Sequence, residues 1–305
     1  MKTERQDDTS KDDYVLRSLS KIKHKKWELF VISKIVHTLV ERHQDIEFVC
    51  QQAIKTDREL HPRLVDFFLP QFGLYLEVDE QHHETKNNKD EDIKRTQDIV
   101  RVSNLKEKRI AVMNVETGRN KSLHTISEEV DELLAELSSK KQELIASGAF
   151  EPWDFENRFN PQKFIEKGFV SISDNPVFRL QKQALSCFGY TGGNYQRAKW
   201  VLPYDKSKFV WFPRLYNMGT WHNELSEDGT VIIERESKGE NGMRPEIYKP
   251  DDSTRIVFAR YLDVLGKHVY RYLGEFQINR EKSTSRENVF DRVFDRTETR
   301  ADELT

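Results

Sequence analysis

The chain is expected to fold as two domains of different class, an α/β domain followed by a mostly β domain. Three observations carry that reading. At 305 residues the chain exceeds what a single core normally serves, and domains of roughly 100–200 residues put two on it. In the first half, apolar residues recur three, four and seven apart near both ends, with strand-like runs between them. Beyond residue 161 the texture changes to short, aromatic-rich segments of β character.

Leu16, Leu19, Ile22, Leu29, Ile32, Val36 and Leu39 define one face of a helix over 14–41. IEFVCQ (46–51) reads as a strand. RLVDFFL (63–69) and GLYLEVD (73–79) read as two more, joined by a hairpin turn at Pro70, Gln71, Phe72 and Gly73. Residues 87–105 are polar with a helical pattern, and RIAVMNV (109–115) is a further strand. The stretch 124–146 is a long amphipathic helix carrying Leu133, Leu134, Leu137 and Leu144. GAFEPWDFENRFNP (148–161), with two prolines and a glycine, breaks the periodicity and marks the boundary. KFVWFP (208–213), TVIIERE (230–236) and RIVFARYL (255–262) are strands of the second domain. The expected organisation is a disordered leader (1–13), an α/β domain (14–148), a linker (149–161), a mostly β domain (162–290) and an acidic tail (291–305).

Composition narrows the function classes. Charged residues make up 33% of the chain, hydrophobic ones 36% and aromatics 11%, with a net charge of -3. That is a foldable composition, because disorder brings fewer aromatics and a larger net charge. No uncharged apolar run approaches the roughly 18 residues of a membrane span, and MKTERQDDTSKDD has no apolar signal core. A cytoplasmic protein without a membrane partner is therefore expected. Cys50 and Cys187 are the only cysteines, so a disulfide framework and a multi-cysteine zinc site are excluded. The acidity is concentrated at the ends: residues 1–13 and 291–305 each carry five acids against three bases. The body between them is near neutral and holds a basic cluster, Lys21, Lys23, His24, Lys25 and Lys26. Nucleic acid thus remains an admissible partner, and the cluster is either a solvated helix face or a set of phosphate contacts.

The strands at 63–79 are not monotonously apolar. Asp66 interrupts RLVDFFLP, and Glu77 and Asp79 end the next strand in LEVDEQHH. Side chains alternate along a strand, so Glu77 and Asp79 share a face, and in a hairpin Asp66 lies beside them. Three like charges there repel unless a cation neutralises them. Carboxylate oxygens suit Mg²⁺, with water and phosphate oxygens completing its shell. His82 and His83 follow directly and offer a base or proton donor near neutral pH. An acid-rich strand end alone is often only a solvent-facing feature; Asp66, Glu77, Asp79 and His82 together on adjoining apolar strands point to a metal site for phosphodiester hydrolysis.

The run VDFFLPQFGLYLEVDEQHH, followed by DEDIKRTQDI, RIAVMNV and a helix, resembles the Vsr-like branch of the PD-(D/E)xK nucleases. The resemblance implies Asp66 and Glu77 as metal ligands for Mg²⁺, with Mn²⁺ as a substitute, and Asp79 as the acid in place of the usual lysine. It also implies His82 or His83 as the catalytic histidine and Glu28 in KKWELF as the glutamate of the first helix. Glu77-Val78-Asp79 departs from the superfamily's Glu-x-Lys, so another group must position or activate the water, and His82 is the first choice.

The second half places Trp200, Trp211 and Trp221 within 22 residues, among Tyr195, Tyr204 and Tyr216. Such a density either builds a core or stacks on bases. Trp221 and Asn223 share a face of an extended segment, and Glu234 follows on the next strand-like run. An indole to stack, an amide, and a carboxylate to accept from a cytosine amino group would make a pocket for a flipped base, with Trp211 as a second stacking candidate. The Gly-rich FGYTGGNYQ (188–196) lacks the GK[ST] of a phosphate-binding loop and reads as a loop approaching DNA.

A Vsr-like nuclease followed by this aromatic module resembles the 5-hydroxymethylcytosine-dependent restriction endonucleases of the AbaSI type, whose second module is SRA-like. SLSKIKHKKWELFVISKI, IEFVCQQ, HPRLVDFFLPQFGLYLEVDE and VWFPRLYNMGTWHNELSED carry the resemblance along most of the chain. It implies Trp221, Asn223 and Glu234 as base-pocket residues. It implies double-stranded DNA with a modified cytosine, glucosylated or not, as substrate, cut in both strands at a distance, in defence against phages. One acidic cluster per chain implies a homodimer for a double-strand cut, with the 124–146 helix as one candidate surface. Two rivals stand beside this reading: a modified-base reader without cleavage, motivated by the missing lysine, and a mismatch-repair nicking enzyme.

Overall fold

A computed structural model describes residues 10–20, 22, 25–55, 62–79, 99–101, 105–215, 221–236 and 251–300, and the described residues divide after Arg158 into two compact units. The first unit opens with two helices, α1 (Lys11–Ser20) and α2 (Lys26–Arg42), rather than one over 14–41. The break moves the buried face: Val31, Ile32, Ile35, Val36 and Leu39 point into the core, whereas Leu16 and Leu29 are exposed. The strands β1 (Val49–Lys55), β2 (Arg63–Leu69), β3 (Leu74–Asp79), β4 (Val100–Arg101) and β5 (Lys106–Ala111) form one sheet in the order β4-β1-β2-β3-β5. β1 thus starts three residues later than expected and β5 three earlier. Of the helical stretch expected at 87–105, residues 87–98 and 102–104 lie outside the described residues and Val100–Arg101 is strand.

β2 pairs antiparallel with both β1 and β3, while β4 joins β1 and β5 joins β3 in parallel. The β2–β3 turn is a short 3₁₀ turn at Pro70–Phe72, closed by Gly73 at φ 54°, a left-handed conformation that glycine adopts without the steric cost of a Cβ. Gln71 in this turn accepts from the Glu47 amide and donates to the carbonyls of Asp45 and Glu151. After the small hairpin of β6 (Met113–Asn114) and β7 (Arg119–Asn120) comes α3 (Leu123–Ala146), capped by Ser122, whose side chain accepts from the Thr125 amide. Ile126, Val130, Leu133, Leu134 and Leu137 of α3 join the α2 residues in a core that includes Phe67, Leu76 and Ile110 of the sheet. Leu133, Leu134 and Leu137 thus pack in the core of their own unit. A smaller cluster of Ile54, Val65, Phe68 and Tyr75 is separate from it. The segment expected to be a linker is partly packed: Trp153 and Phe155 close on Tyr14, and the Trp153 amide donates to the Asp45 carbonyl.

The second unit begins with α4 (Gln162–Lys167), β8 (Phe169–Ser171), β9 (Val177–Phe178) and α5 (Gln181–Ser186). Then follow β10 (Lys199–Val201), β11 (Lys208–Trp211), β12 (Trp221–Leu225), β13 (Val231–Glu236), β14 (Thr254–Leu262), β15 (His268–Ile278), β16 (Glu287–Phe294) and β17 (Arg296–Glu298). The main sheet runs β10-β11-β14-β15-β16-β13-β12, with β9 also paired to β15, and β17 pairs with β8. The supposed acidic tail is therefore structural as far as Arg300. Asp291 lies in β16 opposite Val231 of β13 and Gln277 of β15, and Thr297 is buried in β17, because β13, β15 and β8 give these residues strands to pair with. Apolar residues form two clusters, one around Phe178, Phe258 and Tyr272, the other around Trp211, Ile232, Phe276 and Phe290. At Gly274, φ 107°, a Cβ would stand 2.6 Å from the Phe294 carbonyl oxygen, so the backbones of β15 and β16 approach each other only through a glycine.

Candidate active site and base pocket

In the first unit, Phe67 pairs with Leu76 across β2 and β3, so one rung further Asp66 and Glu77 stand side by side. Asp66 is buried, and its Oδ2 accepts from the Val78 amide at 2.9 Å. Glu28, in the first turn of α2, is buried to 1% exposure and reaches the same place. Two neutralising groups join the acids. The Lys25 ammonium, just ahead of α2, lies 2.7 Å from Glu28 Oε2 and 3.3 Å from Asp66 Oδ1. The Gln51 amide donates to Glu28 Oε1 at 2.6 Å and to Asp66 Oδ1 at 3.3 Å. Gln51 does so from a φ of 56°, an uncommon conformation for a residue with a Cβ, held in the strand opposite Asp66.

Burial, followed by the nearby Asp66 charge, pushes the Glu77 carboxyl up to about 8. The same two causes push Glu28 up to about 7, against the pull of Lys25. Burial opposes the charge on Lys25, but Asp66 and Glu28 more than reverse this and hold its ammonium above the ordinary lysine range. The crowding is the kind that a divalent cation relieves. Among the described residues no three acidic, histidine or cysteine side chains converge as a finished metal cage. Asp66 and Glu77 nevertheless offer the one or two carboxylates that Mg²⁺ takes beside water and phosphate oxygens, so the donor chemistry fits.

The structure brings together Glu28, Asp66 and Glu77 of the expected set. Asp79 stands at the exposed end of β3, 3.8 Å from Arg109. Arg63 approaches Glu77 at 3.9 Å. His82 and His83 lie outside the described residues. Lys25 and Gln51 were not anticipated as members of this site. The sequence leaves Lys25 in a basic cluster that is either a solvated helix face or a set of phosphate contacts, although its spacing of three from Glu28 puts both on one side of a first helical turn.

In the second unit, β12, β13 and β16 place Asn223 opposite Glu234, and Glu234 opposite Asn288. Paired residues of neighbouring strands project from one face, so the three form a polar row. Glu234 and Asn288 are buried, and the Asn288 amide donates to Glu234 Oε2 at 3.2 Å. Burial holds the Glu234 carboxyl above the usual range, while Asn288 and then Arg255 act in the opposite direction. Arg255 is itself buried, its guanidinium 4.3 Å from the Phe290 ring centre and 5.1 Å from that of Phe209. Asn223 Oδ1 is buried with no hydrogen-bond partner among the described residues. Trp221 pairs with Glu236 at the start of β12, and its side chain lies outside the described part. Trp211 is corrected from a stacking face to a core group. It is 9% exposed and edge-on to Phe290, because β11 lies inside the sheet between β10 and β14. Trp200 and Tyr195 likewise pack edge-on against Tyr190.

An acidic α/β unit joined to a strand-rich unit with a buried polar row defines a class, a nuclease domain coupled to a DNA-recognising module. Residues 12–143 match the family described as restriction endonuclease PvuRts1 I-like, N-terminal, and residues 163–299 match the SET and RING associated (SRA) domain. A solved structure titled "The 5-Hydroxymethylcytosine-Specific Restriction Enzyme AbaSI" is 31% identical to this chain, covers 96% of it and 98% of its own length, and superposes with a TM-score of 0.76. The chain belongs to the AbaSI family of restriction endonucleases. No curated protein matches it.

Proposed function

We propose that this protein cleaves both strands of DNA containing 5-hydroxymethylcytosine, glucosylated or not, with Mg²⁺ held by Asp66 and Glu77. The observation that carries the hydrolytic half is the meeting of Glu28, Asp66 and Glu77 with Lys25. Bound Mg²⁺ would lower the pKa of a water and offset charge on the phosphate under attack. Around it, Asp66 is fixed by the Val78 amide and Gln51, and Gln51 also orients Glu28. Lys25 brings to these carboxylates the ammonium that Glu77-Val78-Asp79 lacks, which favours cleavage over the non-cleaving reader. His82 or His83 is the proposed proton carrier, and Asp79 supports the strand end where that segment departs.

The recognition half rests on Asn223 and Glu234. A carboxylate accepts from the amino group of cytosine and rejects the O4 of thymine, and Trp221 is the proposed stacking partner of the flipped base. Cutting takes place at a distance from the base, and two chains supply the two acid clusters that a double-strand cut needs. Such an activity serves defence against phages with modified DNA. The mismatch-nicking alternative lacks a use for the second unit.

The test is a digest of matched duplexes carrying cytosine, 5-methylcytosine or 5-hydroxymethylcytosine, with Mg²⁺ or with EDTA. Double-strand cuts confined to the hydroxymethylated duplex and abolished by EDTA are expected. Equal cutting of all three would remove the base pocket, and binding without cutting would remove the nuclease.

A further inference from the structure

The polar row holds one residue that the resemblance did not single out. Asn288 is 4% exposed in β16, two rungs from the apolar pair Ile232 and Phe290 and on the same face of the sheet. An apolar side chain would suit that position, and a buried amide beside a buried carboxyl is costly unless each is hydrogen-bonded. The row is only partly satisfied: Asn288 serves Glu234, while the Asn223 oxygen at the other end has no partner among the described residues. A network left one donor short is completed by something that brings donors.

We propose that Asn288 is a positioning residue for modified-base recognition, holding one oxygen of Glu234 so that the row presents two neighbouring acceptors, Glu234 and Asn223, to the base. The inference rests on the base pocket proposed above. The Asn288 amide must turn its NH₂ toward Glu234, since its oxygen would face another acceptor. With Oε2 engaged, the carboxyl cannot rotate freely, and Arg255 favours its ionised, accepting form. Two adjacent acceptors match an edge with two adjacent donors. 5-Hydroxymethylcytosine has such an edge, the amino group on C4 and the hydroxyl on the C5 substituent. A 5-methyl group brings no donor to Asn223 and leaves its oxygen unpaired, and thymine sets an oxygen against Glu234. The row therefore separates hydroxymethyl from methyl as well as cytosine from thymine.

Equilibrium binding of the full chain, in EDTA to prevent cleavage, to matched duplexes with cytosine or 5-hydroxymethylcytosine tests this. Asn288→Val removes the donor with a good strand former, and is expected to weaken binding to the hydroxymethylated duplex by about 10-fold, toward the affinity for the plain duplex. Asn288→Thr keeps a donor and is expected to retain part of the preference. In a Glu234→Ala background, Asn288→Val should have no further effect, because its action passes through Glu234. The proposal is overturned by wild-type preference in the Val variant, by equal loss on both duplexes with a lowered Tm, by a Thr variant no better than Val, or by additivity in the double variant. A wild-type protein that binds both duplexes alike would instead overturn the base pocket itself.

Discussion

Both units bury a carboxyl beside nitrogen donors, yet the two settings differ in what they lack. In the first unit Glu28, Asp66 and Glu77 crowd together, and Lys25, Arg63 and Gln51 do not offset them, so Glu77 and Glu28 are pushed up to about 8 and about 7. In the second unit Glu234 stands alone among an amide, a guanidinium and aromatic rings, and the unsatisfied atom nearby is an uncharged amide oxygen. The first arrangement asks for a positive charge and the second for hydrogen-bond donors. On the function proposed above, the same side-chain chemistry would serve hydrolysis in one setting and base reading in the other, according to its neighbours.

Substitutions that act on one unit and spare the other sharpen this contrast. Asp66→Ala should reduce cleavage by on the order of 10³-fold or more, since it removes a proposed metal ligand and the group that binds Gln51 and the Val78 amide. Binding to hydroxymethylated DNA should persist in a gel-shift titration, and retained cleavage would take Asp66 out of the centre. Lys25→Met should lower cleavage by roughly 10–100-fold, the range for groups that support ligating side chains. Its affinity for plain DNA, and the salt slope of that affinity, should stay as in the wild type; a slope reduced by about one would return Lys25 to the phosphate-contacting set.

Glu234→Gln exchanges an acceptor for an amide and should weaken the preference for modified over plain duplex by about 5–150-fold, with cutting of DNA already bound little changed. A wild-type preference measured by competition would break the comparison on the recognition side. The smallest effect is on stability. Glu77 ionises less readily in the folded chain than its ordinary value of 4.5, so its stabilising protonated form is present at low pH and lost as pH rises through about 8. The Tm of the EDTA-treated protein should therefore fall between about pH 5 and pH 9, and Mg²⁺ should reverse the fall at the alkaline end. A Tm indifferent to Mg²⁺ at pH 9 would show that the cation does not meet these carboxylates.

The elements with strong periodicity were legible in the linear chain. RLVDFFL corresponds to β2 residue for residue, GLYLEVD to β3 within one, and the leucine-rich stretch to α3. The apolar spacing predicts one helix over 14–41, where the chain forms two, Lys11–Ser20 and Lys26–Arg42. The charges of 291–305 hide the strand alternation, so the sequence predicts a tail there; β16 and β17 form instead since β13 and β8 offer them edges.

Local sequence determined which strands carry Asp66, Glu77, Asn223 and Glu234, because period-two alternation and turn chemistry act over a few residues. Tertiary structure alone decided who meets them. Lys25 and Gln51 are 41 and 15 residues from Asp66, and Asn288 is 54 from Glu234. Those partnerships depend on the packing of α2 against the sheet and on strand registers, which are set by burial of whole apolar faces rather than by any short motif.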